Sequence, residues 1–295
     1  MDFLYFLSSR RSPFLDEVFL LATKFGEEIL AMLLICTLLW CVNKSLAYTV
    51  GTSFFLSALA VQGLKVAFRV PRPWVLDPDF LPVSRGIKAA TGYSFPSGHT
   101  QVATSIYGTI GLLAKKNWQR AVMFFLLFAV GFSRMYLGVH TPKDVVVSFL
   151  ISISFSFATV YFIKKNKDKP FLNIAFPLCL GAGALALLGF ALYLYSTQVL
   201  TVHYVSDCCK AAGAALGFAV GVYAEKAYIN YDVHCDKAYH QALKVILGIA
   251  GLLVLKVGLK LVLGTSLTAD TLRYFLLILW VVAVWPVTFT KILKK

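Results

Sequence analysis

Three short blocks hold the side chains of this sequence that could act together on a substrate. Lys65 leads to Arg72-Pro73, then come Pro96-Ser97-Gly98-His99, and Ser133-Arg134 lead to His140 and Asp144. Together they supply three cations, two imidazoles, a hydroxyl, a carboxylate and a helix start, which is equipment for holding a phosphate and cleaving it through a histidine. Val70 precedes Pro71, so the helix carrying Lys65 should end by about Arg69, and Arg72 should be held extended between Pro71 and Pro73. A guanidinium fixed in that way can grip a phosphate with two parallel hydrogen bonds. Pro96 and Ser97 are helix-start residues, and a helix start offers free N–H groups and a positive dipole end to an anion. Gly98 lets the backbone come close, and His99 sits in the first turn. His140 and Asp144 are spaced i, i+4, so the carboxylate can hold one ring nitrogen and leave the other as nucleophile.

Each block also has a plainer reading. Lys65 and Arg72 can snorkel to a membrane interface, His99 can be a polar cap, and Thr141-x-x-Asp144 is the pattern of a helix-capping box. Asp144 can do both jobs, whereas capping alone leaves His140 without a role. The three cations against one carboxylate suit a phosphate dianion, and they should keep His140 neutral near pH 7. Neither a carboxylate cluster nor a Cys/His set has metal-ligand spacing, so no metal and no other cofactor is expected.

The elements that must position these residues are membrane helices. The chain has 295 residues, 59% hydrophobic and only 14% charged, with a mean hydropathy of +0.75; soluble domains carry about 25% charged residues. Uncharged runs at 45–64, 145–163, 170–202 and 274–290 are of spanning length. The net charge of +14 does not point to nucleic acid, because most basic residues sit in short loops between apolar runs. The six cysteines (Cys36, Cys41, Cys179, Cys208, Cys209 and Cys235) lack metal spacing and read as membrane filler without disulfides. The expected fold class is all-α, a polytopic membrane helical bundle.

In chain order, residues 1–26 read as an amphipathic interfacial segment, with Phe14, Val18, Leu21 and Phe25 at helical spacing and a helix start at Ser12-Pro13. Spans are expected at 27–42, 45–66, 98–114, 118–137 and 145–163, forming a catalytic core over 27–169. An extension over 170–295 adds spans at 171–196, 208–226, 242–263 and 271–290. The stripe Ala211, Ala212, Gly213, Ala215, Gly217 should let a neighbouring helix approach closely. Lys256 and Lys260, i and i+4 on the eighth span, read as snorkelling side chains, with guidance of an anionic headgroup as the functional alternative. Lys44, Lys115, Lys116, Arg120, the 164–169 cluster, the Lys226–Lys244 loop and the C-terminal lysines all fall on one side, the cytoplasmic one by the positive-inside rule. The three blocks fall together on the other.

Those blocks resemble, intact and in order, the three signature motifs of the type 2 phosphatidate phosphatase family, which is related to the vanadium haloperoxidases. The resemblance covers roughly residues 45–163. It implies a helical membrane core that hydrolyses lipid phosphates through a phosphohistidine, with His140 as nucleophile, Asp144 orienting it and His99 protonating the leaving alcohol. Lys65, Arg72, Ser97, Gly98 and Arg134 would bind the phosphate. Two features depart from the family pattern: the short N-terminal segment stands where a complete span is usual, and the spans beyond 170 exceed a six-helix core. The extended layout is similar to that of sphingoid-phosphate phosphatases.

The expectation is therefore an integral membrane hydrolase of the cell or cytoplasmic membrane, with its site on the non-cytoplasmic face. It would act without metal on a phosphatidate-, isoprenyl diphosphate- or sphingoid phosphate-like lipid entering sideways from the bilayer. Two alternatives stand beside it: a phosphotransferase using the same site, and a non-catalytic carrier or receptor of lipid phosphates. Intact His99, His140 and Asp144 argue against the second, because binding alone needs only the cations and the helix start.

Overall fold

The structure is a computed structural model that describes residues 1–166, 169, 171–234 and 237–293. Lys167, Lys294 and Lys295 of the expected basic clusters, and Cys235, lie outside the described residues. The regular elements are helical throughout this range: α1 (Asp2–Ser8), α2 (Pro13–Lys24), α3 (Glu28–Thr37), α4 (Lys44–Phe68), α5 (Pro73–Leu76), α6 (Ser84–Ile87), α7 (Gly98–Ala103), α8 (Thr109–Leu113), α9 (Asn117–Tyr136), α10 (Pro142–Lys165), α11 (Leu172–Ser196), α12 (Val202–Ala224), α13 (Ala238–Leu263), α14 (Leu267–Leu279) and α15 (Trp285–Leu293). Wider π turns join α7 to α8 (Thr104–Gly108), extend α3 (Leu38–Val42) and α12 (Glu225–Ile229), and link α14 to α15 (Trp280–Val284).

Among the described residues six helices are long and apolar enough to cross a membrane. The count is seven if Pro13–Lys24 and Glu28–Val42, which meet at 46°, form one broken span. The expected spans at 98–114 and 118–137 are helical but fall outside this set. The first is short and interrupted by its π turn, and the second carries Arg120 and Arg134 near its ends. α12 starts at Val202, where a loop to Asp207 was expected.

The chain divides into two compact units, Met1–Met32 with Ala60–Tyr161, and Leu33–Leu59 with Phe162–Lys295. These divisions cut the chain at other places than the boundaries at 26 and 169 read from composition, because α4 and α10 each pass from one unit into the other.

In the first unit, Ser12 caps α2 by accepting from the Leu15 N–H, with Pro13 at the first helical position. The expected apolar stripe is present but faces outward: Phe14, Val18 and Leu21 are exposed. The opposite face packs on α9, where Phe19 lies 4.1 Å from the Tyr136 ring and 5.4 Å from Phe132 (centroid distances). Arg11 donates to the Tyr136 carbonyl at 3.1 and 3.2 Å and to the Leu81 carbonyl at 2.6 Å. The Tyr136 hydroxyl donates to Asp16 at 3.0 Å. The N-terminal segment is thus packed into the unit that carries the three blocks.

In the second unit the small-residue stripe does what its composition implies. A Cβ on Gly213 would stand 2.2 Å from the Thr271 carbonyl oxygen, and one on Gly217 2.4 Å from that of Phe275, so α12 and α14 touch backbone to backbone. Lys244 is not an orientation charge in a loop. It lies within α13, fully buried, donating to the Val233 carbonyl at 2.7 Å and the Trp40 carbonyl at 3.3 Å. Lys256 and Lys260 are exposed on the same helix. The described cysteines form no disulfide.

Candidate active site

Every residue of the three blocks lies in the first unit. α4 ends at Phe68, Arg69 turns the chain with a φ of +50°, and Arg72 is extended with ψ 156°. Lys65 in the last turn of α4 donates to the Tyr93 carbonyl at 2.9 Å. Arg72 is buried, and its guanidinium gathers three stretches of loop. Nε donates to the Gly92 carbonyl (3.1 Å), Nη2 to Thr91 (2.9 Å) and Nη1 to Val139 (2.9 Å). Nη1 also lies 2.9 Å from Nε2 of His140.

That last contact assigns the tautomer. A guanidinium only donates, so Nε2 of His140 accepts and carries a lone pair, and the ring proton sits on Nδ1. His140 is 1% exposed. Burial first, and then the charges of Arg72, Arg134 and Lys65, hold its pKa well below the ordinary 6.5. The imidazole is therefore neutral at pH 7.

Nδ1 of His140 stands 3.6 Å from Oδ2 of Asp144, beyond hydrogen-bond length. The same carboxylate oxygen accepts from the Ser94 hydroxyl at 2.6 Å and the Thr141 N–H at 2.8 Å, while the Asp144 N–H donates to Thr141 Oγ1 at 3.4 Å. The capping contacts are present, whereas the carboxylate stands opposite the imidazole without a hydrogen bond to it.

Ser97 caps α7, accepting from the Thr100 N–H (3.5 Å) and hydroxyl (3.0 Å). Its own N–H donates to the Asp144 carbonyl at 3.1 Å, and its carbonyl accepts from Ser148 at 2.6 Å. The helix-start N–H groups without an intrahelical acceptor are then those of Gly98 and His99. A Cβ on Gly98 would meet nothing within 4 Å, so open space lies beside that backbone.

Arg134 is fully buried near the end of α9. Nη1 donates to Thr23 Oγ1 at 2.7 Å, and among the described residues Nε and Nη2 make no hydrogen bond. Nε2 of His99 is likewise buried without a partner. Unpaired buried donors are rare and costly, so two guanidinium nitrogens and an imidazole nitrogen left in this state mark a place suited to an anion. His99 and His140 both feel the charges of Lys65, Arg72 and Arg134.

Three participants escaped the sequence reading. Thr23 sits on the α2 face opposite the outward stripe, and only the i, i+4 step from Phe19 hinted at it. Ser94 had no local signal. Gly26 belongs with them, because a Cβ there would stand 2.9 Å from the His99 carbonyl oxygen and 2.7 Å from Val130. Among the described residues no group of three or more His, Cys, Asp or Glu is gathered as for a metal ion.

Residues 46–168 match the PAP2 superfamily, and residues 209–294 match the PAP2 superfamily phosphatase transmembrane extension. The chain belongs to the PAP2 superfamily. With its apolar helices and that extension, it is an integral membrane protein. It is similar to a probable sphingosine-1-phosphate phosphatase of Dictyostelium discoideum, 30% identical over 52% of this chain and 40% of that protein. It is also similar to sphingosine-1-phosphate phosphatase 1 of Rattus norvegicus, 26% identical over 85% of this chain and 57% of the relative. A third relative is an undecaprenyl-diphosphatase of Sulfolobus acidocaldarius, 27% identical over 50% of this chain and 69% of that protein. The match thus spans less than half of the Dictyostelium protein.

Proposed function

We propose that this PAP2 protein hydrolyses a lipid phosphate or diphosphate through a phosphohistidine, at a site open to the non-cytoplasmic side. The observation that carries the proposal is the pairing of a lone pair on His140 Nε2, facing Arg72, with unpartnered nitrogens on Arg134 and His99. A bound phosphoryl group supplies acceptors for those nitrogens and takes over the Arg72 contact, which frees Nε2.

In the first half-reaction His140 Nε2 attacks phosphorus while the P–O bond to the leaving group breaks, and His99 gives that oxygen a proton. In the second, water attacks phosphorus, His99 accepts a proton from it, and the N–P bond breaks to release phosphate. Arg72, Arg134, Lys65 and the Gly98 and His99 N–H groups hold the charge on the transferring oxygens. These donors are fixed in place beforehand, so charge that develops in the transition state meets them without reorganisation. Asp144 faces the Nδ1 proton and favours the imidazolium-like intermediate.

The names of the relatives point to sphingoid phosphates, isoprenyl diphosphates and phosphatidylglycerophosphate as substrate classes. The test is phosphate release from a panel of sphingoid phosphate, phosphatidate and isoprenyl diphosphate, with and without EDTA. It is run beside alkaline-quenched trapping of labelled protein and with an added alcohol acceptor. A base-stable, acid-labile label lost in His140→Ala supports the reading. Release by a folded His140→Ala variant would overturn the nucleophile assignment, and label passing to the alcohol in preference to water would make the protein a transferase.

A further inference from the structure

α9 ends on a left-handed glycine, and that ending carries the turn to His140. Gly138 has a φ of +74°. Its N–H donates to the Met135 carbonyl at 3.0 Å, and that of Val139 to the Arg134 carbonyl at 3.1 Å, the paired closure of a helix C-terminus. The His140 N–H shares the Arg134 carbonyl at 3.3 Å, so the place where the helix closes decides where the imidazole stands. The carbonyls of Tyr136, Leu137 and Val139 then project beyond the helix, and each meets a donor from a different stretch of chain. Arg72 Nη1 donates to Val139 at 2.9 Å, and the Val83 N–H to Leu137 at 3.0 Å. Arg11 donates to Tyr136 through both Nε (3.2 Å) and Nη2 (3.1 Å).

Arg11 is the distant member of this set, 125 residues from the carbonyl it holds. It is half-buried in the link between α1 and α2. Nη1 donates to the Leu81 carbonyl at 2.6 Å, and the guanidinium lies 5.6 Å from the centre of the Phe80 ring. A Cβ on Gly138 would come within 2.7 Å of Arg11 Nη2 and 2.8 Å of the Phe80 ring, so both side chains press on the turn itself. A cation is favoured at a helix C-terminus, and the planar fork lets one side chain hold the turn and the loop at Leu81 together. Two other ties join the N-terminal segment to the same loop, Tyr5 with Asp77 and Glu17 with Arg85. Both are exposed and end on the loop, not on the turn.

We propose that Arg11 is a positioning residue for the nucleophile: it fixes the Tyr136–His140 turn and so holds His140 where it attacks the phosphoryl group. The proposal rests on the phosphohistidine reading. Arg11 touches neither substrate nor the reacting atoms. Lys65 and Arg134 are held by other partners, the Tyr93 carbonyl and Thr23, so phosphate binding survives the loss of Arg11 while attack slows.

The test is single-turnover phosphate release by the full-length protein, held in excess over radiolabelled sphingosine 1-phosphate, phosphatidate or farnesyl diphosphate in mild detergent. Arg11→Gln should lower the rate at saturating protein about 10²-fold, the cost of misplacing a reacting group by about 1 Å. The half-saturating protein concentration should not change. Arg11→Lys, whose ammonium reaches one carbonyl, should recover part of the rate. Tyr5→Phe and Glu17→Gln, which loosen the same segment elsewhere, should react as the wild type does. An unchanged rate in Arg11→Gln, or a loss matched by weaker half-saturation, would overturn the proposal. An equal loss in Tyr5→Phe and Glu17→Gln would also overturn it, by making docking of the whole segment the cause. If Arg11→Gln does not fold, Arg11→Lys decides by the same split between rate and half-saturation. His140→Ala, run alongside, separates the two readings. Release by that variant, or none by the wild type, removes the phosphohistidine reading and this proposal with it. An inert His140→Ala beside a fully active Arg11→Gln overturns the positioning role alone.

Discussion

Arg72 Nη1 lies 2.9 Å from His140 Nε2, so one guanidinium both braces the loops around the site and occupies the nitrogen proposed to attack phosphorus. The same residue ties Thr91, Gly92 and Val139 together. Arg72→Lys keeps the charge but loses the planar fork, so no single ammonium can reach all of these acceptors. The expected result is a fall in kcat/KM of about 10²-fold, the usual cost of losing one well-placed donor. Phosphate-release kinetics on the purified variant check this, and wild-type rates would remove Arg72 from the site.

The acid limb of the pH profile should lie well below the ordinary imidazole value. Burial and the surrounding cations depress the His140 pKa below 6.5, and attack needs the unprotonated ring. Activity should therefore persist as pH falls through 6.5 and disappear only near the depressed value. Stability carries the same sign: an unfolded chain protonates first, so the contribution of neutral His140 is complete above 6.5 and is lost as pH falls from there towards the folded value. Values of kcat/KM from about pH 4 to 8 test it, and a limb at or above 6.5 contradicts it.

Ser94 acts through Asp144. Its hydroxyl gives Asp144 Oδ2 the shorter of that oxygen's two hydrogen bonds, at 2.6 Å. Ser94→Ala frees the carboxylate to turn towards His140 Nδ1, which should raise the acid limb and lower kcat about tenfold, with Ser94→Thr restoring both. A lower kcat with an unmoved limb would reduce Ser94 to packing.

Gly98 marks the space for the anion. A methyl group there meets nothing in the protein, so Gly98→Ala should leave thermal stability within about 0.5 kcal/mol. It should nevertheless cut kcat/KM about 10²-fold, because it displaces a phosphoryl group lying against the helix start. Full activity would put the anion elsewhere.

Thr23 carries the N-terminal helix into the site. Thr23→Val removes the acceptor for Arg134 Nη1 while keeping its shape. KM should rise about tenfold, the worth of one charged hydrogen bond, with kcat little changed and Thr23→Ser restoring it. An unaltered KM would leave Thr23 as filler.

The site was legible where chemistry is local. Arg72 extended between two prolines and Ser97 opening a helix stand as their spacing implies, while His140 and Asp144 face each other beyond hydrogen-bond length. What stayed hidden depends on tertiary neighbours. Ser94 and Thr23 are ordinary hydroxyls until the fold brings them to a carboxylate and a guanidinium. The apolar stripe of α2 is exposed, and its period says nothing about what the narrower inner face meets. Charge counting does not reveal where a lysine's ammonium is bound. Lys44 and Lys244 read as orientation signals, and both are anchored inside the second unit, because a lysine's stem can be buried while its ammonium is satisfied by carbonyls or a carboxylate. α12 begins at Val202 rather than 208, and Asp207 pairs with Lys210 on its surface.

Gly26 gives the first helices a leverage that their distance in sequence conceals. It rests against the backbone of His99 with no room for even a methyl group. The bend between α2 and α3 therefore packs directly on the backbone that carries the imidazole proposed to protonate the leaving group. A change in how α2 tilts would be felt at the departing oxygen before it was felt at the surface.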